Sequence, residues 1–134
     1  RKGVPTFLRA LALLGQPFAE KVDIGLIGYH SDRIESEVQV LRRKGFSHVR
    51  LYGYVQRERI LDNLLQTDIL VCPSLYEEFG YVVLEAMGAG VPVVATRIRP
   101  LQDIITQGVS GLLFERGNVH ELSSLISTLM SPVF

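Results

Sequence analysis

The chain has 134 residues, of which 47% are hydrophobic, and this suits a single domain with one core. Fourteen basic and fourteen acidic side chains give a formal net charge of zero, so no broad cationic surface is available for nucleic acid or anionic lipid. The single cysteine, Cys72, excludes an internal disulfide and argues against a structural metal cluster. Without a membrane-span or signal-peptide pattern, we expect a soluble cytoplasmic domain that binds a small or locally recognised partner.

Short apolar runs of strand composition alternate with helical patterns along the chain. These runs are apolar on consecutive residues, as in strands that helices cover on both faces, and this favours a mainly parallel sheet. The sequence therefore predicts an α/β fold with a doubly wound, mainly parallel sheet whose ligand site lies at the carboxyl ends of the strands. The predicted strands are Val22 to Ile27, Val49 to Val55, Ile69 to Cys72, Val91 to Ala95 and Gly111 to Phe114.

Capping residues and glycines set the expected bounds of six helices. Asp32 is expected to cap the second helix, with Glu35 reaching back, and Asn118 is expected to cap the last. The predicted helices are Pro5 to Leu14, Asp32 to Gly45, Glu58 to Gln66, Gly80 to Gly88, one that precedes Gly108, and one that follows Asn118.

The segment after the third strand carries the most informative side chains. Glu85 is the only charged residue between Gly80 and Ala95, and burial of an unpaired carboxylate costs several kcal/mol. Glu85 therefore either pairs inside the domain or faces a polar ligand, and a structural ion pair or a solvent-facing position remains the alternative. Glu77 precedes the same helix, whose open N-terminus at Phe79 to Val82 is a natural seat for a diphosphate.

The segments PSLYEEFGYVVLEAMGAGVPVVAT and GVSGLLFERGNVHEL resemble the C-terminal domain of retaining GT-B glycosyltransferases of the group 1 type. The shared pattern consists of two glutamates with seven residues between them, an FG pair after the first, an EAM-x-x-G helix end and a PVVAT strand. Weaker matches at Lys2, Gly3, Ile27, Gly28 and Gly53 to Val55 extend the resemblance across almost the entire chain. It implies that residues 1 to 134 form a nucleotide-sugar donor-binding domain, the Rossmann-like half of a GT-B fold.

The resemblance also implies a role for each matching residue. Glu77 would contact hydroxyls of the donor sugar, and Lys2 would stabilise the departing diphosphate without a metal or another cofactor. Glu85 would accept hydrogen bonds from the ribose hydroxyls. The other implied nucleotide-sugar-binding residues are Phe79, Gly80, Tyr81 and Val82 for the diphosphate, and Tyr54 and Val55 for the base.

The implied reaction is transfer of a sugar, of hexosyl type, from a nucleoside diphosphate sugar with retention of configuration. The implied partner is an acceptor-binding N-terminal domain, which together with the family's first strand would lie before residue 1 or be absent. Membrane contact would occur only through that missing domain, and we expect the fragment alone to be inactive.

One loop departs from the family pattern, which usually has a diglycine segment after the strand that ends at Thr96, followed by a Pro-Glu pair. Both glycines are replaced in this chain, where residues 97 to 103 read RIRPLQD. Arg97 and Arg99 could instead reach the phosphates. The altered loop keeps open a second interpretation, a non-catalytic nucleotide-binding or structural module of the same fold. An epimerase of the same fold is a third, which would need differently placed carboxylates.

Overall fold

The computed structural model describes residues 1–28 and 30–130. Helices and strands alternate through the described part of the chain, as the apolar pattern predicts; residues 131–134 of the predicted domain lie outside it. The strands are β1 (Ile24–Ile27), β2 (Val49–Gly53), β3 (Leu70–Cys72), β4 (Val93–Thr96) and β5 (Leu112–Phe114). The helices are α1 (Val4–Ala12), α2 (Gln16–Ala19), α3 (Asp32–Arg43), α4 (Arg57–Leu65), α5 (Tyr81–Gly88), α6 (Leu101–Ile104) and α7 (Val119–Leu129).

Every strand pair among the described residues is parallel, which confirms the predicted α/β class. The hydrogen bonds divide the strands into two groups, a two-stranded sheet of β1 and β2 and a three-stranded sheet in the order β3-β4-β5. A single sheet was expected from the sequence. Because β3, β4 and β5 run parallel, their carboxyl ends lie at the same edge of the larger sheet.

Helices cover both faces of the β3-β4-β5 sheet. Side chains of β4 alternate between the two faces, so Val93 and Ala95 pack toward α4, α5 and α6, whereas Val94 packs toward α1 and α7. Phe114 of β5 lies on the same side as Val94 and is fully buried. This sheet has the cover on both faces that consecutive apolar residues predict.

The β1-β2 sheet is covered on one face only within the described residues, and here the prediction of cover on both faces was wrong. Ile24 and Val49 are buried against α1 and α3, while Ile27 and Tyr52 on the opposite face are exposed. Both helices pack on the same side. The outer face therefore keeps its apolar side chains in solvent.

Helix α1 contacts both sheets. Leu8 and Leu11 pack with Ile24 of the β1-β2 sheet, and Ala10 packs with Val94 of the other sheet. Phe7 lies against both of these clusters. One short helix therefore joins the two halves of the domain through side-chain packing.

The helix boundaries differ in detail from those expected. Ser31, and not Asp32, caps α3, because its Oγ accepts the Ile34 N–H at 3.4 Å; Asp32 is the first helical residue. The Asn118 cap is confirmed, since its side chain accepts the Glu121 N–H at 3.0 Å. Helix α2 was not predicted. Among residues 1–28 and 30–130, no helix has the length and apolar composition needed to cross a bilayer.

Candidate functional site

The loop after β3 fixes the orientation of Glu77. Pro73 and Ser74 are buried directly after the strand, and the Ser74 hydroxyl donates to Glu77 Oε2 at 3.0 Å. The Glu77 side chain is only 14% exposed. A carboxylate that receives hydrogen bonds in such a setting is held in one position, with its remaining lone pairs free to accept from a ligand.

Lys2 lies against this carboxylate although 75 residues separate the two in the chain. Lys2 Nζ is 3.3 Å from Glu77 Oε2 and 3.5 Å from Oε1, and the lysine side chain remains 66% exposed. The approach requires Gly3, because a Cβ at that position would stand 1.7 Å from the Pro73 carbonyl oxygen. The structure therefore brings together the two residues that the resemblance assigns to catalysis.

Helix α5 begins beside this pair, and Gly80 is its N-cap residue with φ 72°. A Cβ on Gly80 would stand 2.8 Å from Leu101 of α6, so close packing as well as the backbone conformation requires glycine. No side chain of the described residues caps this end. The first N–H groups of a helix have no intrahelical acceptor, so the backbone N–H groups of Tyr81 and Val82 can donate to an anion at this end.

A shallow cavity of about 270 Å³ forms between the Lys2 segment and the start of α5. Phe79 and Tyr81 stack along it with ring centroids 5.2 Å apart, and the Arg1 guanidinium lies 4.8 Å from the Tyr76 ring centroid. Sequence reasoning missed Arg1 and Tyr76, which carry no local signal of a site. The lining residues are Arg1, Lys2, Tyr76, Glu77, Glu78, Phe79, Tyr81 and Val82.

Glu85 lies one turn farther into α5 and does not line this cavity. Its carboxylate is 3.3 Å from Arg57 Nη2 at the start of α4, with 24% of the Glu85 side chain exposed. Glu85 therefore has an ion-pair partner, which sequence reasoning had left open. The Arg57 guanidinium also lies 5.7 Å from the centroid of the Tyr81 ring, so Arg57 touches α5 twice.

Tyr54 and Val55 follow the end of β2 and precede α4. Neither residue lines the cavity. Tyr54 is exposed, and Arg57, only three residues later, connects this segment to Glu85. The structure thus connects the segment that follows Tyr54 and Val55 to α5 through the contact of Arg57 with Glu85.

The loop that departs from the family pattern contains a cis peptide bond between Arg99 and Pro100. No residue other than glycine has positive φ among the described residues, so Arg99 and Pro100 do not need the conformational freedom of glycine. Arg97 Nε is 2.9 Å from Glu115 Oε1 in an exposed ion pair, and Arg97 lines neither of the two cavities described for this site. Arg99 borders a second cavity of about 450 Å³ together with Glu77, Glu78 and Asp103.

The buried thiol of Cys72 is not a nucleophile of this site. Burial is the main reason that the pKa of Cys72 is raised, and the negative charge of Glu77 raises it further. The Ser74 hydrogen bond and the Lys2 charge act in the opposite direction without reversing the shift. Cys72 therefore stays protonated at neutral pH.

The described residues contain no group of three His, Cys, Asp or Glu side chains that could hold a metal ion.

Comparisons with known proteins identify the family to which the chain is similar. The model of the family described as glycosyl transferases group 1 matches residues 1–132. The O-antigen chain mannosyltransferase B of Escherichia coli is 32% identical over 129 residues, which cover 94% of this chain and 33% of that protein. The chain spans a third or less of the length of the curated relatives it matches.

Solved structures show the same fold. The Anabaena protein HepE, crystallised in complex with UDP-glucose, superimposes with a TM-score of 0.80 at 28% identity over 97% of this chain and 36% of that one. The C-terminal domain of the group 1 protein LpcC from Francisella tularensis superimposes with a TM-score of 0.82 at 24% identity over 96% of this chain and 69% of that one. Its level of identity supports the fold alone. With the family model matching nearly the whole sequence, the chain belongs to the glycosyl transferases group 1 family.

Proposed function

We propose that this chain is the donor-binding domain of a retaining glycosyltransferase that transfers a hexosyl group from a nucleoside diphosphate sugar to an acceptor. The acceptor would bind to an N-terminal domain of the same parent protein, in the cytoplasm. Support comes from the names of relatives, which include a mannosyltransferase, and from a similar structure described with UDP-glucose.

The observation that carries the proposal is the contact of Lys2 with Glu77 beside the open N-terminus of α5. A diphosphate needs a cation and hydrogen-bond donors, which the Lys2 ammonium and the backbone of Tyr81 and Val82 supply. A sugar needs acceptors for its hydroxyls, which the Glu77 carboxylate supplies. The two requirements meet within one small cavity.

In this proposal, the domain accelerates the reaction by positioning the donor and stabilising its leaving group. Negative charge grows on the diphosphate as the glycosidic bond breaks, and Lys2 with the helix N-terminus stabilises that charge without requiring a metal ion. Glu77 fixes the sugar through its hydroxyls. Glu85 accepts hydrogen bonds from the ribose hydroxyls, and the backbone at Tyr54 and Val55 binds the base.

Calorimetric titration of the chain with UDP, GDP and ADP tests the donor site. We expect one nucleotide to bind saturably and Lys2→Met to weaken it about tenfold or more, because hydrogen bonds to charged groups contribute about 1.5 to 3 kcal/mol. Lys21→Met, which removes an exposed lysine in the turn after α2, is the matched control and should bind as the native chain does. The corresponding nucleoside, which lacks the phosphates, should not distinguish Lys2→Met from the native chain.

Equal binding by Lys2→Met and Lys21→Met would contradict the placement of the diphosphate, and no binding of any nucleotide would remove the donor-site proposal. The substituted loop at Arg99 and Pro100 favours a second candidate, a module that binds nucleotide without catalysis. An activity assay of the full-length protein, monitored by NMR, separates the two candidates. Transfer of the sugar from an α-linked donor to give an α-linked product supports the retaining transferase. Nucleotide binding without transfer supports the module.

A further inference from the structure

Arg57 is the first residue of α4, yet its closest charged partner lies on α5. Its Nη2 atom is 3.3 Å from Glu85 Oε1, and its guanidinium lies 5.7 Å from the Tyr81 ring centroid. Tyr81 and Glu85 are four residues apart on α5, so they share one helix face. Arg57 therefore spans the stretch of this face between the first turn and Glu85.

This stretch has the position that a nucleotide would occupy under the proposed function. The diphosphate would lie at the α5 N-terminus and the ribose hydroxyls at Glu85, one turn or about 6 Å along the axis. The residues proposed to hold the base, Tyr54 and Val55, lie three and two positions before Arg57 in the chain. Arg57 thus connects the segment for the base to the carboxylate for the ribose.

We propose that Arg57 is a positioning residue that holds the Glu85 carboxylate in the orientation that accepts the ribose hydroxyls. The inference rests on the proposed function. It adds a residue that the family pattern does not supply and a reason for the charge at Glu85, in an otherwise uncharged helix.

The chemistry of the two side chains explains how one contact serves two purposes. A carboxylate offers about four lone-pair sites, and the Arg57 contact at 3.3 Å is made to Oε1. The remaining sites can accept from a vicinal diol. An unheld glutamate would have to be ordered when the nucleotide binds, whereas Arg57, anchored on the Tyr81 ring as well, orders it beforehand.

The test uses calorimetry on the chain with whichever of UDP, GDP and ADP binds, and with its 2′,3′-dideoxy analogue, which lacks both ribose hydroxyls. The variants are Arg57→Gln, Arg57→Lys, Glu85→Gln and the double variant Arg57→Gln/Glu85→Gln. Arg59→Gln is the matched control, since it removes an exposed cation from the same helix two residues away. Thermal unfolding of each variant checks that it is folded.

We expect Arg57→Gln to lower the affinity for the ribonucleotide about twofold to fivefold, the range of a partly exposed ion pair. Its affinity for the dideoxy analogue should equal that of the native chain. Glu85→Gln should cost more, and the double variant should be no weaker than Glu85→Gln alone. Arg57→Lys should recover only part of the affinity, because an ammonium lacks the planar fork. Arg59→Gln should bind both ligands as the native chain does.

Three results would overturn the inference, and they are distinguishable. An equal loss of affinity for both ligands in Arg57→Gln would mean that Arg57 contacts the phosphate or the base directly, or that its role is purely structural. Unchanged affinity in Arg57→Gln, with Glu85→Gln weakened for the ribonucleotide alone, would leave the proposed function intact and remove Arg57 from it. Absence of nucleotide binding by the native chain would remove the proposed function and the inference together.

Discussion

Gly3 gives the sharpest test of how the site is assembled. Its φ is 72°, and a Cβ added there would stand 1.7 Å from the Pro73 carbonyl oxygen and 3.3 Å from the Pro73 Cβ. Carbon atoms in contact prefer separations of about 3.5 to 4.0 Å, so Gly3→Ala must separate the two backbones by more than about 1 Å. That movement carries Lys2 away from Glu77, whose contact is already 3.3 Å long.

Gly117→Ala is a control with the same backbone geometry. Its φ is 73° and nothing lies within 4 Å of an added Cβ, so it bears only the cost of a left-handed alanine, about 1 to 2 kcal/mol. Gly3→Ala bears that cost together with the displacement. We therefore expect Gly3→Ala to weaken nucleotide binding about tenfold, as loss of the Lys2 contact does, and Gly117→Ala to leave affinity unchanged.

Calorimetric titration with the nucleotide that the native chain binds measures the difference, and denaturant unfolding measures stability. Detachment of Arg1 and Lys2 from the loop would relieve the clash and reduce the loss of stability, but it would still remove Lys2 from Glu77. Affinity is therefore the decisive quantity. Nucleotide affinity in Gly3→Ala equal to that in Gly117→Ala would refute the argument that close backbone packing at Gly3 places Lys2.

Two further predictions concern the interior. Phe114→Ala should lower the free energy of unfolding by about 3 to 5 kcal/mol, because Phe114 is fully buried. Val109 is exposed, so Val109→Ala should change the free energy of unfolding by no more than about 0.5 kcal/mol. Similar values for the two variants in urea unfolding would contradict the assignment of Phe114 to the core. Because burial raises the pKa of Cys72, the unfolded thiol ionises first as pH rises. The Cys72 contribution to stability should be complete below about pH 8.5 and decline above it as pH rises toward the pKa in the folded state, relative to Cys72→Ala; parallel pH profiles would contradict this.

The α/β class could be predicted because it depends on local composition. The run from Val91 to Ala95 is apolar at consecutive positions, and the structure buries all four residues of β4 on two faces. The division into two sheets could not be predicted, because strand pairing depends on contacts between distant segments, such as Ile24 with Val49. The exposed face of β2 did have a signal, since Arg50 and Tyr52 alternate with Val49 and Leu51.

The candidate site was predictable where a motif carried it. Glu77 and Gly80 lie within one loop, so spacing and resemblance were sufficient to single them out. Arg57 lies in a different segment, and its partner on α5 is known only from the fold. A local signal existed, because a cation at a helix N-terminus opposes the helix dipole and therefore calls for a compensating acidic partner.

The path of α1 links binding to cohesion of the domain. Lys2, Gly3 and α1 form one continuous segment that touches the Glu77 loop at its start and packs on both sheets along its length. A ligand held by Lys2 would favour the arrangement in which this segment is fully docked, since binding to the native state stabilises it by mass action. By reciprocity, substitutions in α1 that loosen the packing between the two sheets would lower the affinity for the ligand, although the substituted residues do not contact it.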